Sequence, residues 1–271
     1  VVAVSPGLAR HNRSGLAGLG ISLSQRQLSA RNLLDIERVR LGAQAPAPDA
    51  FTALKDEHDF VLTTMGRMSM EKNQAALIEA VALLREQDGA RSDDPGDGTE
   101  DDSTQGLNIG LAIVGSGVLE GTLRARIDSL GLAGHVTLLG QMDNPFPVLG
   151  GADLFVLPSL HEGQPVTLLE AMTLGTAVVA SDLPGNRELI TLGYGVLSGT
   201  SPQDIAQAIR TVLADPLRAR GIFDVQEHNA RSLRDTLDAV LGSEALHQQS
   251  KEDEASPRSR CSRAASQGAI A

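Results

Sequence analysis

The segment that decides the fold is Asp153–Asn186, which reads DLFVLPSLHEGQPVTLLEAMTLGTAVVASDLPGN. Its first apolar run, Asp153–Leu157, is typical of a short buried strand, and Val166–Leu174 has the apolar spacing of a helix. Glu162 and Glu170 stand at E-x7-E spacing across this strand-to-helix transition. A helix N-terminus above the end of a parallel strand offers free backbone N–H groups and favours negative charge, phosphate above all. The segment therefore predicts an anion site beside two carboxylates that can accept hydrogen bonds from the vicinal hydroxyls of sugars, as a nucleotide sugar requires.

Strands and helices alternate along most of the chain. The sequence predicts strands at 59–65, 109–114, 136–139, 153–157, 177–180 and 195–197. It predicts helices at 72–86, 119–130, 166–174, 202–213 and 223–241. Since strands that alternate with helices usually pair in parallel, we expect an α/β fold with a parallel sheet that helices cover on both faces.

Two polar segments interrupt this pattern. Residues 87–106, QDGARSDDPGDGTEDDSTQG, are acidic and rich in glycine, aspartate and serine, and residues 243–271 are similarly polar. Neither segment carries enough apolar surface to offset the entropy of ordering the chain. We predict a disordered acidic insertion at 87–106 and a disordered tail at 243–271.

Composition excludes several classes of function. The net charge of the 271-residue chain is −11, whereas proteins that bind nucleic acid need a basic stripe to meet the phosphate backbone. We therefore expect no nucleic acid partner and at most peripheral association with a membrane, since no apolar run reaches spanning length. Cys261 is the single cysteine, so one chain forms no disulfide and no cysteine-based metal site. These features predict a cytoplasmic protein.

Several motifs in a fixed order carry a family resemblance. Together with the E-x7-E helix they resemble the C-terminal, donor-binding domain of GT-B retaining glycosyltransferases of family GT4. The resemblance covers roughly Val61 to Val212. The quoted motifs are GRMSMEKNQAALIEAVALL at Gly66–Leu84, LAIVGSGVLEGTLRARIDSLGL at Leu111–Leu132, and VTLLGQMDNPFPVLGGADLFVLPSLHEG at Val136–Gly163.

The resemblance implies the domain organisation. Residues 58–242 would form the Rossmann-like C-terminal half of a GT-B fold, which binds a nucleotide sugar. Residues 1–57 would be a remnant of the N-terminal domain with a linker, and 243–271 the tail. The N-terminal GT-B domain would then be missing, and the chain would be a fragment of a longer enzyme. One departure concerns the sugar pocket, because the family usually has G-F-G after the first glutamate and this chain has Gly163-Gln164-Pro165.

Two cations complete the predicted site. Arg67 ends the first predicted strand of the domain and Lys72 begins the next helix, in a chain whose other lysines are Lys55 and Lys251. Two fixed positive charges beside a helix N-terminus can hold a diphosphate and stabilise the charge that develops as the sugar–phosphate bond breaks. The sequence contains no D-x-D pair, with which many glycosyltransferases hold a divalent ion. We therefore expect no metal and no cofactor besides the donor substrate.

The resemblance implies a retaining hexosyltransferase that uses a nucleoside diphosphate sugar. The acceptor would be a cell-envelope glycan or glycolipid, with a lipid-linked sugar, a polyol polymer and a small metabolite all open. Glu162 would contact the transferred sugar, Glu170 the ribose, and Arg67 and Lys72 the leaving diphosphate. The predicted catalytic residues are Glu162, Arg67 and Lys72, and the predicted donor-binding residues are Glu170, Gly163, Gln164, Pro165, Val166, Thr167, Gly115, Gly140 and Gln141.

Other interpretations stay open at this stage. The chain is alternatively a non-catalytic fragment that binds nucleotide sugars, or a GT-B sugar-nucleotide 2-epimerase, although the E-x7-E pair disfavours the epimerase. His161 is either a sugar contact or an ordinary loop histidine, and Gly140-Gln141 is either the edge that stacks on the base or a simple turn. A zinc-binding H-E-x-x-H motif is excluded because position 165 is proline.

Overall fold

The computed structural model describes residues 2–3, 28–29, 31–89, 108–190, 194–215 and 223–241. Contacts divide the chain into two compact units, one formed by Leu34–Val225 and the other by Val1–Leu33 with Gln226–Ala271. The predicted insertion at 87–106 lies outside the described residues except for 87–89, which end a helix, and the predicted tail at 243–271 lies outside them entirely.

The unit Leu34–Val225 is built on a six-stranded sheet in which every pairing is parallel. This arrangement confirms the predicted Rossmann-like α/β class. In chain order, the strands within the described residues are β1 (Val2–Ala3), β2 (Leu28–Ser29), β3 (Phe60–Met65), β4 (Ile109–Val114), β5 (Val136–Gly140), β6 (Leu154–Leu157), β7 (Ala177–Ser181) and β8 (Val196–Ser198). The six-stranded sheet has the strand order β5-β4-β3-β6-β7-β8.

Helices connect the strands, and those predicted from the sequence start and end within three residues of their predicted bounds. The sequence did not reveal four short helices, because six to nine residues are too few to show a helical period. A 3-10 turn, Met70–Lys72, leads into the third helix. The helices are α1 (Ile36–Gly42), α2 (Asp49–Glu57), α3 (Gln74–Gly89), α4 (Glu120–Ser129), α5 (Phe146–Gly151), α6 (Val166–Thr173), α7 (Pro184–Ile190), α8 (Pro202–Ala214) and α9 (Val225–Leu241).

Both faces of the sheet are buried, as alternation along β6 shows. Leu154 and Val156 point into one core, shared with α3, α4 and α8, whereas Phe155 and Leu157 point into the opposite core, shared with α1, α5 and α6. All four side chains are at most 1% exposed. Helices therefore hold the sheet from both sides, and the carboxyl ends of its strands form one rigid edge.

Glycines set the close approach of the loops at that edge. Gly115, after β4, has a φ of +130°, and a Cβ atom there would overlap the carbonyl oxygen of Gly66, which follows β3. The Gly115 N–H donates to the carbonyl of Gly140 at the end of β5, at 2.8 Å. Only glycine adopts this φ readily and leaves room for the Gly66 carbonyl oxygen. The ends of the three neighbouring strands β3, β4 and β5 are therefore joined by backbone contacts.

The other unit contains the paired two-residue strands β1 and β2 and most of α9. Within it, Arg31 forms an ion pair with Asp235, and the His228 ring lies 3.1 Å from the carbonyl oxygen of Asn32. Burial lowers the pKa of His228. No helix in the described part of the chain is both long enough and apolar enough to cross a membrane.

Candidate functional site

The site is centred on the meeting of two loops that are distant in sequence. β3 and β6 are hydrogen-bonded neighbours in the middle of the sheet, so the loops that follow them leave the same edge side by side. The first loop carries residues 66–73 and the second carries residues 158–165. Ligands of open α/β sheets bind at this carboxyl edge.

An ion pair joins the two loops. Lys72 Nζ lies 2.6 Å from Glu162 Oε1, and the buried Ser159 hydroxyl donates to the same oxygen at 2.7 Å. The Glu162 side chain is only 9% exposed and that of Lys72 is 27% exposed. Within the described residues, Glu162 Oε2 has no protein partner, so the carboxylate is fixed through one oxygen and retains the other as an acceptor.

The structure thus brings together Lys72 and Glu162, which the sequence predicted to contact different parts of one donor. It does not bring Arg67 into this pair. The Arg67 side chain is exposed and forms no ion pair with the described residues. Its backbone is nonetheless fixed, because the buried Gln74 side chain donates to the Arg67 carbonyl oxygen at 2.9 Å.

Helix α6 begins beside this pair without a side-chain cap. Pro165 is the N-cap residue and makes no side-chain capping hydrogen bond, so the first-turn N–H groups receive none from the N-cap side chain. The Thr167 hydroxyl, in the same turn, is buried and has no hydrogen-bond partner among the described residues. Gln164 and Pro165 are buried, whereas Val166 is 39% exposed. Backbone donors and a helix dipole at such an end favour an anionic group.

The loop before α6 is held by a close backbone approach. A Cβ atom on Gly185, in α7, would overlap the carbonyl oxygen of Gly163. The Asn186 amide, which is fully buried, donates to the Ser181 carbonyl at 2.8 Å and fixes the start of α7. The loop that carries Glu162 therefore packs against the start of α7, which follows β7.

Glu170 lies in the second turn of α6, apart from the ion pair. Burial raises the pKa of Glu170 to about 7, and the positive charge of Arg38 partly opposes this rise. None of the described residues forms a hydrogen bond with its side chain. Arg38 itself lies in α1 over the ring of Phe146, 5.7 Å from the ring centroid. Glu170 is therefore a carboxylate with unfilled acceptor capacity near neutral pH.

The turn after β4 packs against the loop after β3. The Met68 N–H donates to the Ser116 carbonyl at 2.9 Å, and the Leu119 N–H donates to the Met68 carbonyl at 3.2 Å. A Cβ atom on Gly117 would overlap the Met68 carbonyl oxygen. The Gly115-Ser116-Gly117 segment thus serves as a compact turn next to Arg67.

The remaining predicted residues lie at the same edge. Gly140 has a φ of +72° and ends β5, and Gln141 after it is exposed. His161 is also exposed. Among the described residues there is no group of three histidine, cysteine, aspartate or glutamate side chains that would hold a metal ion.

Sequence reasoning missed three residues that shape this site. Ser159 fixes Glu162 through a hydroxyl three positions upstream, and Arg38 comes from the segment that the sequence assigned to a linker. Asn73 donates hydrogen bonds to two neighbouring loops. A hydroxyl close to Glu162 was a readable signal for Ser159, whereas nothing local indicates what Arg38 or Asn73 will meet.

Known proteins resemble the chain in sequence. The family described as Glycosyl transferases group 1 matches residues 48–249. The N-acetylgalactosamine-N,N'-diacetylbacillosaminyl-diphospho-undecaprenol 4-alpha-N-acetylgalactosaminyltransferase of Campylobacter jejuni is 29% identical over 220 residues, which are 78% of this chain and 52% of that protein. The GDP-mannose-dependent alpha-(1-6)-phosphatidylinositol dimannoside mannosyltransferase of Mycobacterium tuberculosis is 29% identical over 163 residues, which are 59% of this chain and 37% of that protein. The chain thus spans between a third and about half of the length of these relatives.

A solved structure shares the fold. Anabaena Alr3699/HepE in complex with UDP-glucose matches with a TM-score of 0.63 at 22% identity, over 89% of this chain and 64% of that one. At this identity the likeness concerns the architecture alone.

Proposed function

Because this chain belongs to the family of glycosyl transferases group 1, we propose that it binds a nucleoside diphosphate sugar and supplies the donor half of a sugar transferase. The observation that carries the proposal is the contact between Lys72 and Glu162 at the carboxyl edge, beside the uncapped start of α6. It places a cation, a carboxylate oxygen and the backbone donors of a helix start within one small region. A sugar diphosphate offers hydroxyl groups and negative charge, which match these three features.

The diphosphate would lie between the cations and α6. Lys72 and Arg67 supply positive charge from the loop after β3, and the backbone N–H groups of Gly163 to Thr167, apart from Pro165, supply donors. As the bond between the sugar and the phosphate breaks, negative charge grows on the departing diphosphate. These groups stabilise that charge in the transition state more than in the ground state, which is the condition for acceleration. We propose that they do so without a metal, in keeping with the lack of D-x-D in the sequence.

The two glutamates would contact different parts of the donor. Glu162 would accept from a hydroxyl of the transferred sugar through Oε2, because Oε1 is occupied by Lys72 and Ser159. Glu170, a helical turn further on, would accept from the ribose hydroxyls. Gly115 would allow the nucleotide to approach the strand end, and Gly140 with Gln141 would line the base.

The finer features of the reaction follow the family resemblance. We propose a retaining hexosyltransferase of GT4 type that acts on a lipid-linked sugar or another cell-envelope acceptor, with the acceptor bound by an N-terminal GT-B half. The Campylobacter and mycobacterial relatives have names that specify a diphospho-undecaprenol and a phosphatidylinositol acceptor, which supports this choice. Their names and that of the Anabaena protein include both GDP and UDP donors, so the base is left open. We place the reaction in a reducing cytoplasm, in keeping with a chain whose single cysteine is Cys261.

A panel of ligands tests the proposal. UDP, UDP-glucose, GDP and GDP-mannose are titrated into the 271-residue chain, and thermal shift and calorimetry report binding. A ligand at one hundred times its dissociation constant should stabilise the chain by about 2.7 kcal/mol. If none of the four stabilises a properly folded sample, the proposed donor site is wrong.

Two lysine variants locate the site within the chain. Lys72→Met should weaken binding of the nucleoside diphosphate by at least about tenfold, the loss expected for one charge-assisted hydrogen bond, and should leave binding of the bare nucleoside unchanged. Lys55→Met is the matched control, because Lys55 also forms an ion pair, with Asp153 at 3.4 Å, but at the opposite edge of the sheet. Equal losses in both variants would contradict the assignment.

A further inference from the structure

Two backbone segments beside the ion pair are joined by hydrogen bonds that run in opposite directions. The Leu160 N–H donates to the Glu71 carbonyl oxygen at 2.7 Å. The Asn73 side-chain amide donates to the Pro158 carbonyl oxygen at 3.1 Å. Two hydrogen bonds thus join the loop after β3 to the loop after β6. One connects main-chain atoms alone, and the other comes from a side chain.

Lys72 and Ser159, which bond to Glu162, lie between these two hydrogen bonds in the two loops. Lys72 is flanked by Glu71 and Asn73, and Ser159 stands between the two residues that bond to them on the other loop. Lys72 and Ser159 both contact the same oxygen of Glu162. The geometry of the ion pair therefore depends on the two loops keeping their relative position.

The Asn73 amide also reaches a third loop. Its nitrogen donates to the Thr200 carbonyl oxygen at 3.0 Å, one residue before Ser201, the N-cap of α8. The backbone of Asn73 has a φ of 54°, in the left-handed region, and it is the one residue other than glycine with positive φ in the described part of the chain. Few side chains tolerate that conformation, and asparagine is among them.

We propose that Asn73 is a positioning residue for the donor site: its side-chain amide joins the loops after β3, β6 and β8 and thereby sets the geometry of the Lys72–Glu162 pair. Three demands meet at this position, namely a left-handed backbone and two amide hydrogens aimed at two carbonyl oxygens. Glycine satisfies only the first demand. Aspartate has the same shape but offers carboxylate oxygens to the two carbonyl oxygens, so it lacks both donors.

The consequence for the proposed reaction is preorganisation. A cation that stabilises a leaving diphosphate is effective only if it is held in place before the charge develops. Asn73 supplies this restraint from the position next to Lys72, through its hydrogen bonds to Pro158 and Thr200. The inference rests on the proposed function for its consequence in binding, whereas the loop geometry itself can be tested without any ligand.

The ligand-free test uses the scarcity of lysine. Wild type, Asn73→Gly and Asn73→Asp are treated with an amine-acylating reagent, and mass spectrometry compares the modification of Lys72 with that of Lys55 in the same sample. Both variants should raise the modification of Lys72 relative to Lys55 about fivefold, the factor that corresponds to losing a partly exposed ion pair. Asn73→Gly keeps the left-handed backbone, so circular dichroism should show an unchanged fold.

The matched control is Asn108→Asp. The Asn108 side-chain amide donates to the Glu57 carbonyl oxygen at the opposite edge of the sheet, so this variant removes the same type of hydrogen bond away from the site. It should leave the ratio of Lys72 to Lys55 modification unchanged. An equal rise in Asn108→Asp would overturn the proposal, because it would show general loosening of the fold.

Calorimetry with UDP and uridine then tests the link to the donor site. Both Asn73 variants should weaken UDP binding about tenfold and leave uridine binding unchanged, because the loss concerns the contact with phosphate. If Lys72 modification and UDP affinity both stay at wild-type values in folded Asn73 variants, the proposal is wrong. If Lys72 becomes reactive in these variants while the wild-type chain binds none of the tested nucleotides, the positioning role stands and the donor-site assignment fails.

Discussion

Replacing Glu170 by glutamine should stabilise the unliganded protein at alkaline pH while it weakens the proposed donor site. Burial raises the pKa of Glu170 to about 7 from an ordinary value of 4.5. Between these two values the unfolded chain releases a proton that the folded chain retains. The contribution of Glu170 to the free energy of unfolding is therefore most favourable below pH 4.5. It falls as the pH rises to about 7, and above that pH the loss is complete.

The magnitude follows from the size of this shift. One pKa unit corresponds to about 1.4 kcal/mol, so the full difference would amount to about 3 kcal/mol. Because part of the Glu170 side chain is exposed, solvent screens the carboxylate, and we expect a smaller difference of roughly 1 to 2 kcal/mol. Glutamine has nearly the same shape and carries no charge, so Glu170→Gln removes this cost and little else.

Urea unfolding of wild type and Glu170→Gln at pH 5, 6, 7 and 8 measures the effect. The difference in the free energy of unfolding should be small at pH 5 and should grow in favour of the variant up to pH 8. Glu120→Gln, which removes an exposed carboxylate from α4, is the control. A difference for Glu170→Gln that does not change with pH, or one that Glu120→Gln reproduces, would refute the argument.

The same variant should act in the opposite direction on binding. An ionised Glu170 is a stronger acceptor for hydroxyl groups than a glutamine carbonyl, so Glu170→Gln should weaken UDP binding at pH 8 by about 1 to 2 kcal/mol. Below pH 7 wild-type affinity should fall more steeply than that of the variant, because Glu170 takes up a proton in addition to the terminal phosphate of UDP. Calorimetry at pH 6 and pH 8 distinguishes these cases, and equal pH profiles for the two proteins would contradict a role for Glu170 in binding.

Two further predictions concern stability. Gly115→Ala should lower the free energy of urea unfolding by at least about 3 kcal/mol, because Gly115 has a φ of +130° and the new Cβ would overlap the Gly66 carbonyl oxygen. The control is Gly121→Ala, which lies in a helix and places its Cβ where no atom lies within 4 Å. This control should stabilise the protein by about 0.5 to 1 kcal/mol. A mild effect of Gly115→Ala would mean that the turn rearranges freely. Burial lowers the pKa of His135, whose Nδ1 lies 2.9 Å from His58 Nε2. The melting temperature of wild type should therefore fall as the pH drops below 6.5, and that of His135→Gln should fall less between pH 7.5 and 5.5. An equal fall in the melting temperatures of the two proteins would contradict this.

The sequence determined the elements of the sheet, because their signals are local. Apolar runs such as Ile109–Val114 match the observed strand at both ends, and the helix predicted to begin at Val166 does begin there. A strand buried on both faces must be apolar throughout, and a helix must repeat its apolar residues at a fixed spacing, so neighbouring residues suffice to reveal both. The short helices α1 and α2 escaped prediction because packing on neighbouring helices and strands, rather than a long periodic pattern, stabilises them.

The sequence also indicated which residues would gather at the carboxyl edge, since parallel strands end there together. It could not indicate how they pair. Lys72 was expected to contact the diphosphate and Glu162 the transferred sugar. In the structure Lys72 Nζ lies 2.6 Å from Glu162 Oε1, because the strand order places β3 beside β6. Arg67, only five positions from Lys72, has an exposed side chain outside the pair.

Tertiary structure alone decided the chemical state and the support of the site. The pKa of Glu170 is raised by burial, and burial depends on helices and strands from distant parts of the chain rather than on sequence neighbours. The contacts of Asn73 with Pro158 and Thr200 likewise join segments that only the folded sheet brings together. Local sequence fixes what each residue can donate or accept, whereas the crossovers of the sheet fix which partner it meets and how much water remains around it.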